Sequence, residues 1–238
     1  MLQALLFDLD GTLADTDPIH FQTWQDILRE YGLEFDHAFY QTHFSGRLNG
    51  AIVKDLLPHL SLEAGKQLGD YKEAEYRKRA AKQLKPLGGL LDMLDWANQK
   101  QLKQAVVTNA PKDNAQFMLQ VLGLDKHFTT VVLAEELEKG KPDPLPYQVG
   151  LELLGVSPVS AVAFEDSLTG VRSAVGAGIL TIGVATTHEP QALIAAGAEL
   201  VVNDLTDPKL EDLLHCFGRE ILKDEILTYD TSNTRSRL

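Results

Sequence analysis

Asp8 and Asp10 flank Leu9 at the end of the first apolar run, within Phe7-Asp8-Leu9-Asp10-Gly11-Thr12. Met1 to Leu9 reads as a short buried strand, and side chains two apart on a strand point the same way. Two carboxylates so aimed repel unless a cation or a proton comes between them. The chemistry open to the pair is a seat for a hard, oxygen-seeking cation such as Mg2+, or an acid/base couple. Gly11 lets the backbone turn sharply and approach a ligand closely. The same residues also read as a strand closed by an ordinary Asp-Gly turn, so the surrounding elements must decide.

From Gln101 onward, apolar strand-like runs at Lys103–Thr108, Thr129–Leu133, Ala161–Glu165, Leu180–Val184 and Leu200–Val202 alternate with helix-forming segments. Those segments are Asn114–Leu122, Leu145–Leu154, Leu168–Ala177 and Gln191–Ala196. Strands alternating with helices imply parallel crossovers, so this part is expected to be a doubly wound, Rossmann-like α/β sheet that also takes the N-terminal strand. Between Asp17 and about Gln83 the pattern is helical, at Ile19–Tyr31, Phe39–Phe44, Asn49–Leu57 and Leu62–Lys82. The last is highly charged, and Glu73/Arg77 and Glu75/Arg79 are expected as i,i+4 pairs on a solvated face. The expected organisation is an α/β core of residues 1–15 and 84–220 and an inserted helical cap of residues 16–83. Residues 225–238 read as a flexible tail.

Ligands of open α/β sheets sit outside the carboxyl ends of the strands. Four strand ends here carry polar chemistry: Asp8 and Asp10, then Thr108-Asn109, then Lys141 in the loop after Thr129–Leu133, then Glu165-Asp166-Ser167. Each alone also reads blandly, Thr108 as a helix cap, Lys141 as a solvated loop residue, Glu165-Asp166 as a capped turn. Their convergence on one sheet makes a common site the stronger reading. The net charge of -12 argues against nucleic acid or an anionic membrane as partner. A single cysteine, Cys216, rules out an intrachain disulfide. With no signal-like N-terminus and no run of spanning length, the expected location is cytoplasmic. The partner expected is a small molecule; oligomeric state is open and a monomer compatible.

In order and context the motifs Asp8-Leu9-Asp10-Gly11-Thr12, Thr108-Asn109, Lys141-Pro142 and Glu165-Asp166-Ser167 resemble the haloacid dehalogenase-like hydrolase superfamily. Within it they resemble the branch of phosphatases and β-phosphoglucomutases with a small helical cap, over roughly residues 2 to 204. The resemblance implies a phosphoric monoester hydrolase acting on a small phosphorylated metabolite, a sugar or polyol phosphate. It implies Asp8 as nucleophile, forming an aspartyl-phosphate, and Asp10 as general acid and then base. It implies Mg2+ held by Asp8, the Asp10 backbone carbonyl and Asp166, with Glu165 direct or one shell out. Gly11, Thr12, Thr108, Asn109 and Lys141 would meet the phosphoryl group, Lys141 also offsetting its charge. The second aspartate sets the motif apart from that of the carbon–halogen cleaving members.

The resemblance extends into the helical insertion. Asp15-Thr16-Asp17-Pro18 and Pro86 to Gly89 look like the hinges between cap and core. His20 matches a position facing the active site in mutase-like members, though an exposed helix histidine is the alternative; Trp24 is expected to pack inside the cap. Phe44-Ser45-Gly46-Arg47-Leu48-Asn49 resembles the cap specificity loop, with Arg47 the expected substrate contact. Ser45 and Asn49 stand where the mutases carry lysine and arginine, which favours a phosphatase over the alternative, a sugar-phosphate mutase. A binding protein on a hydrolase scaffold is the remaining, non-enzymatic reading.

Overall fold

The computed structural model describes residues 1–44 and 47–216. Six strands form one parallel sheet: β1 (Ala4–Phe7), β2 (Lys103–Thr108), β3 (Thr130–Leu133), β4 (Ala161–Glu165), β5 (Leu180–Val184) and β6 (Leu200–Val202). Their order is β3-β2-β1-β4-β5-β6, so the order reverses between β1 and β4. A crevice at such a reversal, at the carboxyl ends of the strands, is where a ligand is expected. β1 is paired on both sides, Phe7 facing Val106 and Phe164, and all four of its residues are buried. Alternate residues serve opposite faces. Leu5 and Phe7 join one apolar layer, with Val106, Val162 and Phe164, while Ala4 and Leu6 join the other, with Ala105, Val107 and Ala163.

β1 ends at Phe7, two residues earlier than the strand expected from Met1 to Leu9. The Asp8 N–H still donates to the Phe164 carbonyl at 2.9 Å, after which the chain turns out of the sheet. Leu9 and Leu13 are buried by that turn, and the Leu13 N–H donates to the Leu9 carbonyl at 2.9 Å. Asp8 and Asp10 therefore lie on a loop, and strand alternation does not align them.

Four helices follow: α1 (Asp17–Arg29), α2 (His37–His43), α3 (Asn49–Leu56) and α4 (Leu62–Gln83). They enclose an apolar cluster of their own, including Trp24, Leu28, Phe44, Ile52 and Leu68. At the base, Ile19, Tyr76 and Ala80 pack into the core's larger cluster instead. The core helices are α5 (Leu90–Gln99), α6 (Lys112–Val121), α7 (Leu145–Leu154), α8 (Leu168–Gly176), α9 (Pro190–Ala196) and α10 (Pro208–Cys216). α5 and α10 were not foreseen, although Leu90, Met93, Leu94 and Ala97 carry a clear helical period. α7 lies close against the sheet: a Cβ at Gly150 would stand 3.0 Å from the Leu6 side chain.

The pairing expected along α4 is not what forms. Arg77 donates to the Asn114 Oδ1 at 2.6 Å, Arg79 to Asp26 at 2.7 Å, and Glu75 pairs with Lys78. Glu73 turns inward, its side chain 12% exposed. Partners on α1 and α6 reach these side chains because α4 is packed against α1, α3 and α6, while residues such as Lys66, Asp70 and Lys78 keep its other face in solvent. Among the described residues no helix is long and apolar enough to cross a membrane. Residues 217–238, holding the expected tail, and Ser45 and Gly46 of the expected specificity loop lie outside the described residues.

Candidate active site

Asp8 leaves β1 with its side chain buried, and Lys141 reaches it from the loop after β3. The Lys141 Nζ donates to Asp8 Oδ1 at 2.5 Å, Glu165 Oε1 at 2.6 Å and the Val107 carbonyl at 2.7 Å. All three protons of the ammonium are thereby used. Tyr147, on α7, donates its hydroxyl to the same Glu165 oxygen at 2.7 Å. Asp8, Glu165 and Asp166 present carboxylate oxygens within 4.8 Å of one another. Burial pushes the Asp8 carboxyl up to about 7, the pull of Lys141 being partly undone by Glu165 and Asp10. Burial, then Asp8 and Glu165, push Asp166 well above the usual carboxylate range. Burial works against the Lys141 ammonium, but Asp8 and Glu165 more than reverse it and hold the group above an ordinary lysine. Three buried carboxylates against one ammonium are an all-oxygen donor set short of positive charge. That set fits a hard divalent cation.

Two glycines make room for it. Gly11 has φ +76, and a Cβ there would stand 2.1 Å from Asp166 Oδ2. A Cβ at Gly170 would stand 1.8 Å from Glu165 Oε2. Ser167 caps α8 by accepting from the Gly170 N–H at 3.0 Å, which fixes the turn carrying Glu165 and Asp166. Thr187, after β5, donates to Asp166 Oδ2, and the Thr186 hydroxyl donates to the Gly11 carbonyl at 2.6 Å.

Asp10 lies apart from the acidic cluster and meets the cap. His20 Nε2 is 3.3 Å from Asp10 Oδ1, and Lys72 Nζ is 2.9 Å from His20 Nδ1. An ammonium only donates, so Nδ1 accepts and the Nε2 proton points to Asp10. The ring is stacked on Tyr76, centroids 3.9 Å apart. Lys72 also donates to Glu73 Oε1 at 2.8 Å, yet burial holds it below the ordinary lysine range. Asp10, His20, Lys72 and Glu73, with Thr108 and Asn109, line a cavity of about 570 Å3 between sheet and cap.

The expected residues fare unequally. Asp8, Asp10, Gly11, Thr108, Asn109, Lys141, Asp166, His20 and Arg47 all line the cavity, and Glu165 lies behind Lys141. Asn109 is committed elsewhere: its Oδ1 accepts from the Lys141 N–H at 3.0 Å and its Nδ2 donates to the Lys141 carbonyl at 3.2 Å. Its backbone N–H and the second Nδ2 proton remain for a phosphoryl oxygen. Thr12 is not in the cavity wall; it is fully buried, and its hydroxyl has no partner among the described residues. Its neighbour Leu13 enters the core, and the turn carries Thr12 inward with it. Arg47 is held by Asp55 Oδ2 at 2.5 Å and the His43 carbonyl at 3.0 Å. Lys72, Glu73, Asn114, Tyr147 and Thr187 were missed, since nothing adjacent in sequence marks them as facing a site.

The sequence profile of the haloacid dehalogenase-like hydrolases matches residues 5–184, three quarters of the chain. The chain belongs to this family. Its relatives include a phosphorylated carbohydrates phosphatase of Thermotoga maritima, 34% identical over 84% of this chain and 94% of the relative. A β-phosphoglucomutase of Bacillus subtilis is 31% identical over 90% of this chain and 94% of its own. Among solved structures, a haloacid dehalogenase-like hydrolase of Entamoeba histolytica superposes with a TM-score of 0.82 at 25% identity, covering 91% of this chain and all of the other. The α/β core with a helical cap is thus the family's fold, and the polar strand ends lie at its crevice.

Proposed function

We propose that this hydrolase is a Mg2+-dependent phosphatase of small phosphorylated metabolites, sugar or polyol phosphates, working in the cytoplasm through an aspartyl-phosphate on Asp8. The observation that carries the reading is Asp8 itself, a buried carboxylate 2.5 Å from Lys141, in one cluster with Asp166 and opening on the cavity. The relative named for phosphorylated carbohydrates supports the substrate class.

In this reading Asp8 attacks phosphorus with its free oxygen while the P–O bond to the leaving alcohol breaks. Asp10 gives its proton to the departing oxygen. It then removes a proton from the water that attacks the aspartyl-phosphate, releasing inorganic phosphate and restoring Asp8. His20, donating to Asp10 and backed by Lys72 and Tyr76, keeps that carboxylate turned toward the cavity. Lys141 holds Asp8 in place and offsets charge on the phosphoryl oxygens, with Thr108 and the Asn109 backbone N–H as further donors. Mg2+ would be held by Asp8, Asp166 and the Asp10 carbonyl, neutralising the phosphoryl charge. Glu165, engaged by Lys141 and Tyr147, is the outer carboxylate that anchors the lysine. Uncatalysed phosphate-monoester hydrolysis requires up to about 10²¹-fold acceleration, far beyond the roughly 10²–10⁴-fold that acid/base help gives. The balance falls to covalent catalysis and electrostatic stabilisation.

We assign the core to residues 1–15 and 84–220 and the cap to 16–83. A screen of phosphorylated metabolites, with and without Mg2+, tests the reading, with Asp8→Asn as the blank. Phosphate release that disappears in that variant is expected; near-native release from it would remove Asp8 as nucleophile. Similarity to a β-phosphoglucomutase keeps the mutase as second reading. Stoichiometric phosphate release from a hexose phosphate, with no isomer formed, decides against it.

A further inference from the structure

The cavity has a second charged wall, built by the cap. Among the described residues three lysine and arginine side chains line it: Lys141, Lys72 and Arg47. Each is already paired with a carboxylate. Lys141 serves the proposed phosphoryl site through Asp8 and Glu165. Lys72 is paired with Glu73 at 2.8 Å and Arg47 with Asp55 at 2.5 Å. Glu73 is tightly held: its Oε1 also accepts from Asn49 Nδ2 at 2.6 Å, and its Oε2 from Asn114 Nδ2 at 2.6 Å. It so joins α3 and α4 of the cap to α6 of the core.

We propose that Glu73 and Asp55 are specificity determinants that restrict this site to monophosphates, by occupying the two cap cations a second phosphate would need. A bisphosphate must bring its second dianion up to a wall bearing Glu73, and can reach Lys72 only by taking the cation from a carboxylate 12% exposed. That exchange is strongly unfavourable. A neutral hydroxyl meets no such cost. It can donate to the remaining lone pair of Glu73 Oε2 or to the carbonyl oxygen of Asn49. The wall thus favours a leaving group rich in hydroxyls and free of further phosphate. Specificity here is exclusion as much as attraction.

The inference rests on the phosphatase reading, and the experiment separates the two. Phosphate release is followed with Mg2+ for fructose 1-phosphate against fructose 1,6-bisphosphate and glucose 6-phosphate against glucose 1,6-bisphosphate. The wild type is compared with Glu73→Gln and Asp55→Asn. The wild type is expected to favour the monophosphates. Glu73→Gln, which frees Lys72 and removes a repelling charge, should raise the bisphosphate-to-monophosphate ratio of kcat/KM about tenfold. Asp55→Asn, acting on a more exposed pair, should raise it about threefold. Wild-type turnover of both classes at equal efficiency, or a ratio unchanged in either variant that folds, overturns the proposal alone. Silence of the wild type on every ester overturns the phosphatase reading and the proposal with it. Asp55 is exposed, so its variant folds and decides the matter even where Glu73→Gln does not.

Discussion

At the scale of single residues, the site is a problem of unbalanced charge. Lys141 gives all its protons to Asp8, Glu165 and the Val107 carbonyl, and is the ammonium that offsets both buried carboxylates. Lys141→Ala should therefore cost stability as well as turnover, about 3–5 kcal/mol for a buried charge stripped of its partner. Thermal unfolding checks this, and added MgCl2 should restore part of the loss by supplying positive charge. Asp10→Asn should lower kcat by roughly 10²–10⁴-fold, the share of a general acid/base, while leaving the protein folded. Steady-state kinetics beside a circular-dichroism melt separate the two effects. Glu73 supplies a pH signature. Burial pushes its carboxyl up, but Lys72, His20 and Asn49 more than reverse this and bring it down from 4.5 to about 2. Its folded-state value is depressed, so its contribution is complete above about pH 4.5 and is lost as pH falls toward 2. At most it is on the order of 3 kcal/mol. Denaturant titrations should show the stability gap between wild type and Glu73→Gln closing across that window.

At the scale of elements, each strand end delivers one part of the site, and the turns that follow decide where it points. The aspartate pair is the clearest case. Both residues were legible in the sequence, but the strand alternation that seemed to align them ends at Phe7. Their placement comes instead from the turn over Leu9 to Ala14, closed by the Gly11 N–H donating to the Ala14 carbonyl at 2.8 Å. Gly11→Ala should accordingly damage the site more than its size implies. A methyl group would collide with Asp166 Oδ2, and φ +76 is strained for any side chain. Calorimetric titration with Mg2+ should find affinity reduced at least about tenfold, as when a ligand's support is lost. On α4 the sequence pattern misled for a definite reason: i,i+4 spacing says which charges are near on one helix, not which neighbours lie opposite. Asn114 and Asp26 are 37 and 53 residues away from the arginines they bind.

At the scale of the whole molecule, the reversal of strand order and the insertion after β1 together produce a cavity between cap and sheet. The alternation of strands and helices made the sheet legible, since buried parallel strands are short apolar runs between helices. The cap's helices were legible for the same reason. What lies between cap and core was not, because Glu73 and Asn114 are 41 residues apart and meet only once both bodies are folded. A cavity of about 570 Å3 under a cap is of the size that takes a small metabolite. Hexose phosphates are therefore expected to turn over where a folded phosphoprotein shows no phosphate release in the same assay. One contact has a bearing beyond the reaction. Asn109 grips both the N–H and the carbonyl of Lys141, and a Cβ at Gly140 would stand 2.9 Å from its Oδ1. Position 140 is thus closed to any side chain by the residue that holds Lys141: a larger residue at 140 displaces Asn109, a smaller one at 109 gives up its grip, and either exchange sets the lysine adrift.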